Sequence, residues 1–331
     1  MKILFIFTGG TIGSTQKDNI ISADSRKPYK IISAYAEKYP VDFEYDVAEP
    51  YTELSENNTG THIKRLVECI KENLDGTYDG IIVTHGTDTL QYSAAAVGYC
   101  IGLDTAPVCM VASNAPIENP ESNALDNLHG AISFIKASAG RGAFVVYRNG
   151  NSDTVRVHRA TRLIGAKAYS DDVSSVLGSV YGCFGKDFTF VRNTRYKESA
   201  DAISPLDASC LKEVNGGAML LYSYPGMSYP AIGEGVKYII LNTYHSGTIN
   251  TKSRDALNFF ATAKSRKIPV YVTGVLQGPQ YSSASCFEEL GITPIKNISP
   301  VSAYIKLWLL SENGMSIEEN MEMSLSGDVA Q

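Results

Sequence analysis

At 331 residues the chain is longer than one ordinary hydrophobic core accommodates and predicts two domains. A hydrophobic fraction of 44% beside 19% charged residues is that of a globular protein, and a net charge of −6 gives no footing for a nucleic-acid or membrane partner. No apolar run approaches the roughly 20 residues of a membrane span, the start at Met1-Lys2 is interrupted by Gly9 too soon for a secretory signal, and six scattered cysteines without a CxxC pair predict small buried thiols in a reducing, cytoplasmic setting, with neither metal nor disulfide.

Lys2–Phe7 is almost entirely apolar and predicts a strand buried on both faces of a parallel sheet. Its carboxyl end would reach the crevice where open α/β sheets bind ligands, and there the chain reads Thr8-Gly9-Gly10-Thr11-Ile12-Gly13. The glycines let backbone approach a ligand closely, and Thr11 offers a hydroxyl. The polar stretch Ser14–Lys30 reads either as a lid over that strand end or as a solvated connection. A helix over Ile31–Tyr39 and a strand over Phe43–Val47 follow. Glu53-Leu54-Ser55-Glu56-Asn57-Asn58-Thr59-Gly60 then precedes a helix, Thr61–Asn73, with an apolar stripe at Ile63, Leu66, Val67 and Ile70. Capping needs only one or two residues of that polar cluster, which leaves a ligand role open for the others.

The short strand Ile81–Val83 ends in His85-Gly86, and Thr87 or Asp88 opens a helix running through Tyr99. That sets a hydroxyl beside a carboxylate at a helix N-terminus. Ala106–Ser113 is a strand that ends in Ser113-Asn114-Ala115-Pro116; Asn123–Ala137 is helical and Ala143–Tyr147 extended. Thr154–Arg162 interleaves Arg156, His158, Arg159 and Arg162 with apolar residues, a pattern read at Arg156 and His158 as an exposed edge strand. A polar linker follows. Strands over Ala218–Tyr222, Val236–Leu241 and Val270–Thr273 and helices over Asp255–Ser265 and Pro300–Leu310 form a second alternation. The division expected is an N-terminal α/β domain over 1–190, a linker over 191–213 and a smaller α/β domain over 214–331.

Three strand ends therefore carry hydroxyl or carboxylate groups toward one crevice: Thr11, Thr87 with Asp88, and Ser113. Two threonines and an aspartate suit acyl transfer, with a hydroxyl attacking a carbonyl while another group moves the proton. Backbone N–H groups around Gly10 and Gly86 would steady the developing oxyanion. The chain has no Gly-x-Ser-x-Gly elbow, P-loop lysine or GxGxxG run, so no cofactor is expected.

Thr8-Gly9-Gly10-Thr11-Ile12-Gly13 together with His85-Gly86-Thr87-Asp88-Thr89 resembles the two signatures of the bacterial-type L-asparaginase family, and the likeness covers the whole chain. Leu54-Ser55-Glu56-Asn57 is similar to its substrate-binding turn, Ser113–Pro116 to a turn near the scissile amide, and the run through Lys306-Leu307 to its last helix. Tyr222-Ser223-Tyr224-Pro225-Gly226 looks like the cytoplasmic type. The resemblance implies a larger flavodoxin-like N-terminal domain with a mainly parallel sheet, a smaller α/β C-terminal domain, and cofactor-free hydrolysis of L-asparagine to L-aspartate and ammonia. Thr11 would be the nucleophile and Thr87 part of a threonine–aspartate–lysine triad. Asp88 would also hold the substrate ammonium, while Ser55, with Glu56 beside it, would hold its α-carboxylate and α-amino ends. Dimers or tetramers with sites at subunit interfaces are implied as well.

Two positions depart from that pattern. Arg162 stands where the triad lysine is expected, and arginine stays protonated, so it would orient Thr87 without accepting its proton; Lys167 is the other candidate. Ile21 stands at the spacing of the tyrosine that activates the nucleophile, with Tyr29 the nearest tyrosine. These changes keep open a different amide, such as glutamine, or an amino-acid-binding protein on the same scaffold.

Overall fold

The computed structural model describes residues 1–10, 14–17, 20–23, 29–150, 152–166, 169–185 and 187–331. In chain order the N-terminal part contains β1 (Lys2–Phe7), a hairpin of β2 (Ser14–Lys17) and β3 (Ile20–Ala23), α1 (Tyr29–Lys38), β4 (Glu44–Ala48), α2 (Gly60–Glu72), β5 (Gly80–Thr84), α3 (Leu90–Ile101), β6 (Val108–Val111), α4 (Ala124–Lys136) and β7 (Ala143–Arg148). Four short antiparallel partners follow: β8 (Val155–Arg159), β9 (Leu163–Ala166), β10 (Val173–Ser175) and β11 (Gly182–Phe184), then β12 (Phe190–Arg192). The C-terminal part holds β13 (Ala218–Tyr222), β14 (Tyr238–Asn242), α5 (Arg254–Ser265), β15 (Val270–Val275), α6 (Phe287–Leu290), β16 (Ile292–Lys296), α7 (Pro300–Glu312) and α8 (Ile317–Asn320).

The large sheet has the order β12-β11-β8-β7-β6-β5-β1-β4. Its strands β4, β1, β5, β6 and β7 run parallel, in the 2-1-3-4-5 order of a flavodoxin-like sheet. Apolar side chains on both faces explain why β1, β5 and β6 lie in its middle: every residue of β5 and β6 is buried. The smaller sheet, β13-β14-β15-β16, is parallel throughout. The α/β architecture is thus the one expected, and residues 193–217 between the two sheets contain neither helix nor strand. Among the described residues no helix is long and apolar enough to cross a membrane.

Three expectations change. The β8 strand is not an edge: it pairs with β7 on one side and β11 on the other, leaving His158 and Arg159 buried. The β11–β12 extension, whose few residues carry a weak strand pattern, covers it. Helix α3 starts at Leu90 with Thr89 as its flanking residue, so Thr87 and Asp88 lie in the bend before the helix. And of the six cysteines, all free, only Cys100 and Cys109 are fully buried.

The last residues return to the N-terminal part. Lys306 on α7 and Asp328 form a fully buried ion pair at 3.0 Å, and the Tyr99 hydroxyl of α3 donates to the same carboxylate at 3.0 Å. Such a pair is tolerable inside only because its remaining lone pairs are met, here also by the Leu325 N–H at 3.0 Å.

Candidate active site

In a 2-1-3-4-5 sheet the strand order reverses between the first and third strands, and ligands bind at the carboxyl ends there. In this chain that point lies between β1 and β5, where Thr8 and His85 begin the two turns. The turns are tied together at once: the Thr8 hydroxyl donates to the Thr84 carbonyl at 2.8 Å. The Thr8 carbonyl in turn accepts from the Glu53 N–H at 3.1 Å, which draws the segment after β4 alongside.

Glycine is required at this junction by distance. At Gly10, with φ of +79°, a Cβ would sit 2.4 Å from the Gly86 nitrogen; at Gly9, with φ of +96°, it would sit 2.3 Å from the Glu53 carbonyl oxygen. At Gly86 a Cβ would lie 2.3 Å from the Ser55 Oγ and 3.4 Å from the Gly10 Cα. Gly10, Gly86 and Ser55, three of the expected substrate-binding residues, are therefore packed against one another. Gly86→Ala is expected to cost roughly 1–3 kcal/mol of stability through overpacking, read by urea denaturation, because Ser55 is buried and must move.

Ser55 opens a single 3₁₀ turn, Ser55–Asn57, and its carbonyl accepts from the Thr89 hydroxyl at 2.8 Å. Glu56 on that turn is exposed, whereas Glu53 is held by the Leu54 N–H at 2.9 Å and the Asn57 amide at 3.1 Å. Those donors, the Asn57 amide first, lower the Glu53 pKa. Thr87 is half-buried and Asp88 exposed at the crevice. Ser113, at the end of β6, is buried and donates within its own turn to the Ala115 carbonyl at 2.9 Å. Thr11 and Lys167 lie outside the described residues, as do the side chains of Ile21 and Tyr29; Thr11 directly follows Gly10 in the chain.

Arg162, expected beside Thr87, has its described hydrogen bonds elsewhere. Its guanidinium is fully buried, and Nε donates to the Gly327 carbonyl at 2.6 Å. Nη1 donates to the Ser179 hydroxyl at 3.0 Å, and Nη2 to the Lys197 and Val329 carbonyls at 2.8 and 2.9 Å. None of these partners belongs to the Thr87 turn. The side chain fastens the returning C-terminal segment.

His85 is the residue whose part the sequence left unassigned. It is fully buried; Nδ1–H donates to the Gly86 carbonyl at 2.8 Å and Nε2 accepts from the Asn58 amide at 3.3 Å. Burial pushes its pKa down to about 4, so the ring is neutral near pH 7. A trans peptide points its N–H opposite its C=O; anchoring the Gly86 carbonyl thereby fixes the direction of the Thr87 N–H. Its place immediately before Gly86 was the only signal in the sequence.

His158 is likewise buried, held at Nδ1 by Ser175 at 2.7 Å and pushed down to about 3, by burial first and then by Arg156. Both rings bind fewer protons folded than unfolded, where histidine titrates near 6.5. Stability should therefore be complete above about pH 6.5 and decline as pH falls toward about 4 and 3, by on the order of 3 kcal/mol per ring. Urea denaturation across that window reads the slope, and His158→Gln should lessen it.

A sheet switch point lined by two glycine turns, the second followed by Thr87 and Asp88, is where an α/β sheet of this order places a ligand crevice. The chain belongs to the asparaginase family: the family described as Asparaginase, N-terminal, matches residues 2–176. It is similar to a glutamyl-tRNA(Gln) amidotransferase subunit of Sulfolobus acidocaldarius, 28% identical over 99% of this chain and 75% of that protein. The amidotransferase subunit of the same description from Methanosarcina acetivorans is 27% identical over 94% of this chain and 74% of that protein. Among solved structures, the thermostable L-asparaginase of Thermococcus kodakarensis shares the fold with a TM-score of 0.81 at 22% identity, covering 100% of both chains. L-asparaginase I of Vibrio cholerae does so with 0.77 at 22% identity, over 100% of this chain and 99% of that one.

Proposed function

We propose that the protein hydrolyses the side-chain amide of L-asparagine, giving L-aspartate and ammonia through a threonine acyl-enzyme. The observation that carries this reading is the contact of Gly10 with Gly86, because the residue after each is a threonine. Thr11 attacks the amide carbonyl, and Thr87 passes its proton toward the leaving nitrogen. The tetrahedral oxyanion is met by backbone N–H groups of the two turns, among them that of Thr87, aimed by His85. Ammonia departs as the C–N bond breaks, and water then cleaves the ester, returning the proton to Thr11. Asp88 holds the substrate ammonium; Ser55, Glu56 and Ser113 bound the rest of the crevice. With Arg162 engaged elsewhere, Lys167 is the cation proposed to accompany Thr87: Gly165, two residues before it, lies against the Gln91 side chain at the start of α3. No cofactor takes part. We further assign the chain to a cytoplasmic, self-associating branch of the family, acting on a free small molecule, with the domain division 1–190, 191–213 and 214–331.

A second reading is favoured by the amidotransferase relatives: the same site acts on glutamine, and the ammonia it frees is passed to a further reaction. Ammonia release from L-asparagine, L-glutamine and their N-substituted amides separates the two. Asparagine is expected to exceed glutamine in kcat/KM by at least about tenfold, since one methylene displaces the reacting carbonyl; the reverse order establishes the second reading.

A further inference from the structure

The polar groups around the Gly86 turn allow one arrangement of protons. A carbonyl oxygen only accepts. His85 Nδ1 lies 2.8 Å from the Gly86 carbonyl and must therefore carry a proton, and burial keeps the ring neutral, so Nε2 carries none. Nε2 is thus an acceptor. The Thr89 hydroxyl lies 2.8 Å from the Ser55 carbonyl and spends its proton there, which leaves its oxygen as a second acceptor. The Asn58 amide nitrogen stands 3.3 Å from His85 Nε2 and 3.3 Å from Thr89 Oγ1. It has two protons to give, and each acceptor takes one.

No local duty explains this placement of Asn58. Helix α2 is opened by the next residue, Thr59, whose N–H is met by His62 Nδ1 at 3.1 Å. Asn58 instead closes the Ser55–Asn57 turn, its backbone N–H donating to the Ser55 carbonyl at 3.1 Å. Its side chain therefore joins two turns that already touch, since Ser55 Oγ packs against Gly86. Among similar side chains, serine and threonine have one proton to donate, aspartate has none, and glutamine carries its amide one bond farther out. We infer that Asn58 is a positioning residue: it holds the His85 ring on the Gly86 carbonyl, and through that peptide the direction of the Thr87 N–H, while it holds the Ser55 turn through Thr89. Its effect on rate rests on the amide hydrolysis proposed above, where the Thr87 N–H meets the oxyanion and the loss falls on kcat.

Asn58→Leu keeps a similar bulk and removes both donors. In the intact protein it is expected to move the ring Nε2 resonance of His85 and the backbone N–H resonance of Thr87. It should lower kcat for L-asparagine roughly ten- to a hundredfold with KM within about threefold. In a His85→Gln background the same change should cost less than about threefold further, because both substitutions then remove one effect. Asn58→Ala serves for every reading if the leucine variant does not fold. The proposal is overturned if either resonance stays in place, if the loss falls on KM with kcat unchanged, or if the two substitutions multiply. A parent protein that hydrolyses neither asparagine nor glutamine overturns the proposed function instead, and the two resonances still decide whether Asn58 holds His85 and Thr87.

Discussion

Thr11→Val is expected to abolish ammonia release from L-asparagine, a fall of roughly 10⁴-fold or more, while circular dichroism and thermal stability stay as in the parent. The substitution keeps the β-branched shape and removes only the hydroxyl. Loss on that scale is the signature of a covalent nucleophile, since the groups that bind and polarise the substrate remain and no other residue can form the ester. Thr87→Val should cost less, about 10²–10⁴-fold, as expected of a proton-transfer partner. A Thr11→Val protein that still turns over asparagine removes the acyl-enzyme mechanism altogether. The Gly10–Gly86 contact is the reason both variants are expected to act on one step.

The parallel half of the large sheet was legible because strands buried on both faces are written as unbroken apolar runs, as in Lys2–Phe7 and Ile81–Val83. The glycines at 9, 10 and 86 were legible for a related reason, since close backbone approach leaves no other residue to choose. The antiparallel extension was not. Strands of three residues such as Gly182–Phe184 carry too little alternation to declare themselves, so β8 was read as an edge although its His158 and Arg159 are buried. Pairings between distant segments were also hidden. Nothing local in Arg162 or Asp328 announces that each contacts a segment far away in the chain, and no periodicity marks Asn58 as the residue joining His85 to Thr89. The turn around Ser55, proposed to bind substrate, was visible as surplus polarity; its packing against Gly86 was not.

Arg162→Met is expected to destabilise the protein on the order of 3–5 kcal/mol, lowering the thermal midpoint by roughly ten degrees, with kcat of the folded fraction within about threefold of the parent. The guanidinium makes four hydrogen bonds, three of them to carbonyls of Lys197, Gly327 and Val329, and Tyr196 packs on its face at 4.5 Å. Removing it takes the guanidinium donor from the Gly327 and Lys197 carbonyls, while the Val329 carbonyl keeps the Ser199 hydroxyl at 3.3 Å. Arg162→Lys should recover only part of the loss, since an ammonium is a point donor and cannot span partners on several sides of a planar fork. Lys167→Met should behave in the opposite way, leaving the midpoint in place and lowering kcat by about 10²–10⁴-fold. A loss of kcat in Arg162→Met at unchanged stability, with Lys167→Met fully active, would return the triad role to Arg162. The two readouts separate because the C-terminal segment held by Arg162 and the turn that carries Thr87 are fastened by different hydrogen bonds: the first by the guanidinium, the second by His85 and the Thr89 hydroxyl on Ser55. Arg162 thus acts as a clamp on the C-terminal segment, which is why Lys167 is the residue proposed to accompany Thr87.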